Sequence, residues 1–188
     1  MYHVHMLLGQ ADRPKQFMTH RGDSNTTRST SGFFLELEGH DSGNSWPLAH
    51  KAQFQSFTAS SSAESETASA SVAIRHTALP VQQLLEEMLG RLVPICCKVD
   101  NAQCIAAIKN GYSKRLRFLS RTHRCSIAVL HELSGDPEIA LEIEHAGTKE
   151  HKGDFYTKPL PAPAFFEGRA RTGLRSPQTS ASARAVSR

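Results

Sequence analysis

Apolar and polar positions alternate through residues 2–8 (YHVHMLL) and 32–38 (GFFLELE), the two-residue period of strands with one buried face. HDSGN at 40–44 is a turn signal, and residues 45–53 follow as a short strand through Trp46 and Leu48. Residues 57–74 are rich in Ser and Ala. By composition they read as a disordered linker, but small side chains also suit a closely packed helix capped from residues 60–62. After Pro80 an amphipathic helix is predicted over 81–89, with Val81, Leu84, Leu85, Met88 and Leu89 on one face and Gly90 as its C-terminal cap. The apolar run 92–99 reads as a buried strand ending at Asp100. Asn101 then caps a helix in which Ala102, Ile105, Ala106 and Ile108 recur at helical spacing, closed by Gly111. A further helix is predicted over 126–133 and a strand over 139–145, and PLPAP at 159–163 marks the end of the compact part. This order predicts a mixed α/β domain, one sheet flanked by helices.

Composition adds little to that picture. The 188 residues carry a formal charge of +4, which permits a polyanionic partner without demanding one. The four cysteines form no C-x-x-C pair and read as buried, reduced thiols, which suits an intracellular compartment, cytoplasm or nucleus. No apolar run is long enough to span a membrane, and the first nine residues lack the basic region of a signal peptide. Arg21-Gly22-Asp23 matches an adhesion tripeptide by chance, and the histidine pairs His3/His5 and His145/His151 have no thiol partners at zinc-ligand spacing.

Four separated blocks carry more information. Arg28 to Gly32 spells R-S-T-S-G and runs into Phe33 and Phe34. Trp46 and Gln53 precede S-S-A-E-S-E at 61–66; Val99, Asp100 and Asn101 precede Ala106, Ala107 and Ile108. T-K-E-H-K-G-D at 148–154 runs into F-Y-T-K-P-L at 155–160. In that order the blocks resemble the ribonuclease H region of copia-type LTR retrotransposon Pol polyproteins. The corresponding family blocks read R-S-T-S-G-aromatic, W…Q…S-S-T-E-A-E, D-N…A-I and T-x-E-Q-x-A-D-x-F-T-K-x-L. The resemblance spans residues 28–167 and implies a C-terminal Pol fragment, since no Y-x-D-D polymerase signature and no integrase region occur.

The resemblance implies a ribonuclease H-like mixed sheet flanked by helices, with a degenerate first strand. It divides the chain into an N-terminal segment, degenerate or partly ordered (1–27), a ribonuclease H-like domain (28–167) and a disordered basic tail (168–188). It implies Mg²⁺ or Mn²⁺ as cofactor, RNA–DNA hybrid or other nucleic acid as partner, and cleavage of the RNA strand by two-metal hydrolysis. Such a site needs hard oxygen ligands holding two ions about 4 Å apart. By motif position Glu64 is the helix acid, with Glu66 as the alternative; Asp100 is the acid at the strand end and Asp154 the late acid. The first acid should fall near Leu7, yet residues 1–10 contain none, and Asp12 in A-D-R-P at 11–14 is the nearest candidate. Losing one ligand of four points to impaired hydrolysis. The readings are therefore an impaired endonuclease, an inactive nucleic-acid-binding module, or an inert transposon relic. His145 precedes Asp154 where related enzymes carry a mobile histidine, and is otherwise a strand-end residue. Lys114, Arg115, Arg117, Arg121 and Arg124 form a basic run that could grip phosphates or simply be a solvated face.

Overall fold

The computed structural model describes residues 2–11, 29–39, 44–147, 152, 156 and 160–173. Strands β1 (Tyr2–Ala11), β2 (Thr30–Gly39), β3 (Ser45–Phe54), β4 (Ile95–Val99) and β5 (Leu141–His145) form one sheet in the order β3-β2-β1-β4-β5. The first three strands pair antiparallel, whereas β1–β4 and β4–β5 are parallel. Alternation sorts the side chains: Val4, Met6, Leu8, Phe33, Leu35, Ile95, Cys97, Val99, Leu141 and Ile143 all join the core under the helices. Their neighbours along the strands, among them Phe34 and Glu36, turn to the opposite face.

β1 is not degenerate as a strand. It runs for ten residues through the middle of the sheet, in register with both β2 and β4. Val4, Met6 and Leu8 supply the apolar side chains that place it there. The boundary expected at 27/28 therefore falls between two paired strands, and the sheet begins at Tyr2. At the other end, helix α6 (Ala162–Arg171) runs through the expected boundary at 168. Residues 174–188, expected to be a disordered tail, lie outside the described residues.

The Ser/Ala-rich stretch is helix α1 (Ser62–Ala73). Ser61 caps it by accepting a hydrogen bond from the Glu64 amide, and Ala63, Ala68, Ala70 and Ala73 are buried against the sheet. Gln55, just past β3, ties the sheet to this helix: its amide nitrogen donates to Ser65 O and Ser69 Oγ, both at 3.0 Å, and to Ser31 Oγ. Ser65 Oγ donates back to Gln55 Oε1 at 2.7 Å.

One π-helical turn, Ile74–Ala78, leads from α1 into α2 (Leu79–Leu89). It corrects the expected apolar face of α2. Val81 and Leu85 pack on the core, but Leu84, Met88 and Leu89 are exposed, Met88 by 72%. The buried residue is Gln82, whose amide donates to Val93 O at 2.9 Å and Ile139 O at 2.6 Å. An extra residue in one turn rotates everything after it by about 100°, which turns the leucine stripe outward.

Helices α3 (Ala102–Asn110), α4 (Leu119–Thr122) and α5 (Ile127–Gly135) complete the described helical elements. Asn101 caps α3 and Gly111 closes it at φ +66°, both as expected from sequence. Cys96, Cys97, Cys104 and Cys125 are buried free thiols. No described helix is long and apolar enough to cross a membrane.

Candidate carboxylate site and nucleic-acid groove

Parallel pairing of β1 with β4 brings the carboxyl ends of the two central strands together, where α1 and α3 both begin. Asp100 follows β4, and Asn101 caps α3 with Oδ1 accepting from the amides of Gln103 at 2.9 Å and Cys104 at 3.2 Å. The other end of the same side chain reaches α1: Asn101 Nδ2 donates to Glu66 Oε1 at 3.3 Å. Glu66, Asp100, Asn101, Ser62 and Gln103 thus line one open cleft.

Glu64 is not in that cleft. Its carboxylate accepts from the Ser60 amide at 2.7 Å and from the Ser60 hydroxyl, and lies 2.7 Å from His123 Nε2. The side chains of the pair are 10% and 3% exposed. Burial pushes the Glu64 carboxyl up, but the Ser60 hydroxyl and amide and His123 outweigh it, leaving the group below its usual value. Phe57 lies against the His123 ring, centroids 3.7 Å apart. Two residues along a helix are about 200° apart, so Glu64 and Glu66 cannot face the same way. Glu66 lines the same cleft as Asp100, whereas Glu64 joins α1 to the segment after α4. Sequence carries no signal for that pair, whose members are separated by 59 positions.

Leu7, near which the first acid is expected, is 4% exposed and pairs with Lys98 in β4. Asp12 and Asp154 lie outside the described residues. Lys152 and Tyr156, two positions to either side of Asp154, dock on the sheet face opposite α1. Lys152 Nζ lies 2.6 Å from both oxygens of the buried Glu36, and Tyr156 stacks on Phe34 and His50. His145 ends β5, exposed, paired with Val99 one residue before Asp100.

Lys114, Arg115, Arg117, Arg121 and Arg124 are all exposed around α4. The Arg117 guanidinium covers the exposed Phe118 ring at 4.6 Å. Arg115 and the exposed Tyr112 line a groove with Ser60, Ser61 and Asn110, and this groove meets the carboxylate cleft at Gln103.

The donor set can be tested against the ions that the resemblance implies. Glu66 and Asp100 supply hard oxygens enough to anchor one hydrated Mg²⁺ alongside a substrate phosphate. Among the described residues no group of three or more His, Cys, Asp or Glu side chains is placed to hold an ion. Two carboxylates in one cleft are a partial donor set, which would need a substrate phosphate to complete an ion's coordination.

With this geometry in view, comparison with solved structures finds RNase H1 from the halophilic archaeon Halobacterium salinarum NRC-1. The TM-score is 0.50 at 13% identity, over 82% of this chain and 93% of that one. LC11-RNase H1, isolated from compost by a metagenomic approach, aligns with a TM-score of 0.49 at 10% identity, over 80% of this chain and 89% of that one. No protein-family model and no curated protein matches the sequence. At 13% identity the first likeness concerns fold: the mixed five-stranded sheet flanked by helices is a ribonuclease H-like fold.

Proposed function

We propose that the chain is the ribonuclease H region of a copia-type Pol polyprotein, that it grips an RNA–DNA hybrid, and that its hydrolytic capacity is impaired. The observation that carries this reading is the cleft shared by Glu66 and Asp100 at the carboxyl end of β4, which adjoins a groove beside the basic run. The four sequence blocks support the copia assignment. In this reading Glu66 takes the role of helix acid and Asp100 that of strand-end acid, with Asp154 as the late acid from the resemblance. Asn101 orients the Glu66 carboxylate. Arg115 and its neighbours hold the phosphates, and Tyr112 offers a ring to a base or sugar. Mg²⁺ or Mn²⁺ held by the two acids would supply Lewis-acid polarisation of a phosphate oxygen.

Impairment is argued from Leu7, an apolar side chain on the central strand where an acid is expected. The second reading, a binding module that does not cut, follows from the same residue together with the exposed basic run. Both predict hybrid binding that falls steeply with salt. Three phosphate contacts give a slope of about −2.7, or roughly 40-fold weaker binding for a fourfold rise in salt. Incubation with an end-labelled RNA–DNA hybrid and Mg²⁺ or Mn²⁺ should give weak cleavage or none, and Mn²⁺ binding should be lost in Glu66→Gln and kept in Glu64→Gln. Robust cleavage abolished by Asp100→Asn would overturn the impairment. An affinity indifferent to salt removes the role of the basic run, and loss of Mn²⁺ binding in Glu64→Gln alone reverses the assignment of the helix acid.

A further inference from the structure

A second cleft shares no lining residue with the carboxylate cleft. It lies further along α1, where that helix meets the π turn, and arises because β3 is an edge strand. Lys51 and Gln53 sit opposite Phe33 and Ser31 in the β2–β3 register and share the cleft with them, on the face that α1 packs against. They nevertheless remain exposed, as does His76 on the π turn. Small side chains on α1, Ala68 and Ala73, leave room beneath them for a cavity of about 180 Å³. That is smaller than a pocket enclosing a whole ligand, so it takes the ring of a guest whose charged end stays at the rim.

The lining is chemically one-sided. Phe33, Phe57 and Val72 give it apolar walls, Lys51 gives it a cation and His76 an imidazole. Among the described residues no carboxylate lines it. The buried polar groups at its base, Gln55 with Ser65 and Ser69, already satisfy one another and make no demand on a guest. The guest suited to such a lining is flat, partly apolar and anionic, and accepts hydrogen bonds at its edges from Gln53 and Thr77.

We infer that this cleft binds a nucleoside 5′-monophosphate unit, its heterocycle on the apolar wall and its phosphate held by Lys51 and His76. The inference stands on this cleft alone and does not depend on the carboxylate site being active. The unit is either a free nucleotide or one nucleotide of a strand, and the two share this chemistry.

Isothermal titration of the full chain with AMP, adenosine and inorganic phosphate tests the inference. AMP should bind saturably and more tightly than either part. Lys51→Glu, an exposed change, should weaken AMP at least tenfold and leave adenosine unaffected. Val72→Trp, which fills the cleft, should abolish both, and Asp100→Asn should change neither. Displacement of AMP by a short deoxyadenylate strand identifies the unit as part of a strand; failure to displace it identifies a free nucleotide. No saturation by AMP in the millimolar range overturns the inference. So does wild-type binding by Lys51→Glu and Val72→Trp proteins that melt as the wild type does. Loss of AMP binding in Asp100→Asn would place the ligand at the carboxylates instead.

Discussion

Replacing His123 by alanine strikes the contact that holds the segment after α4 to the start of α1. The change removes a charge-assisted hydrogen bond to a buried carboxylate at 2.7 Å, worth about 1.5–3 kcal/mol, and a ring contact with Phe57 worth about 0.5–1 kcal/mol. Glu64 keeps its two bonds from Ser60, so the full cost of a bare buried charge does not fall due. The expected loss is about 2–4 kcal/mol, read as a lower urea midpoint at unchanged slope, or a melting temperature lower by roughly 5–15 °C. A double-mutant cycle with Glu64→Gln should return a coupling of at least about 1 kcal/mol. The pH dependence has a definite sign. The Glu64 carboxyl is lower in the folded chain than in the unfolded one, so its contribution is fully present above the ordinary carboxylate range and fades as pH falls through the folded value. The substitution removes only the His123 share of that lowering and leaves the Ser60 share, so the gap between wild type and His123→Ala should narrow as Glu64 protonates. A loss under about 0.5 kcal/mol at neutral pH, or a gap that widens in acid, would refute the reasoning.

Two further substitutions probe the frame around the site. Gly90 and Gly111 both sit at φ +66°, but an added Cβ meets nothing within 4 Å at Gly90, whereas at Gly111 it comes 2.9 Å from His131 Cδ2. His131 is itself held by Nδ1 against Ile108 O at 3.1 Å. Gly90→Ala should cost about 1 kcal/mol and Gly111→Ala about 2–3 kcal/mol by chemical denaturation; equal costs would show that His131 gives way freely. Gln82→Leu leaves the carbonyls of Val93 and Ile139 without their donor and should cost about 2–4 kcal/mol, whereas a neutral or stabilising result would mean that those carbonyls find water.

The strands were legible because alternation is a local property, and so were the Asn101 and Gly111 caps, since each needs only its own side chain or lack of one. What escaped depended on angle and on distance along the chain. Leu84, Met88 and Leu89 form a stripe by simple helical counting, but the π turn ahead of them changes the phase, and no residue in Ile74–Ala78 announces it. The same problem of phase separates Glu64 from Glu66. The motif identifies a helix with two acids, yet which one faces Asp100 depends on where α1 lies against the sheet. The Ser/Ala-rich stretch was ambiguous for a different reason. Small residues carry no hydrophobic period, so a helix buried by close approach reads from composition like a linker.

The four thiols allow a measurement of motion. Burial pushes Cys97 and Cys125 up, and Cys96 and Cys104 to about 12. At pH 7 a thiol with that value is ionised about once in 10⁵ molecules, and it is shielded as well. An alkylating reagent therefore reaches them only through openings of the interior, at a rate that follows how often each opening is populated. Cys96 and Cys97 lie on β4, Cys104 on α3 and Cys125 just before α5, so the order in which they are modified records which part of the molecule lets go first.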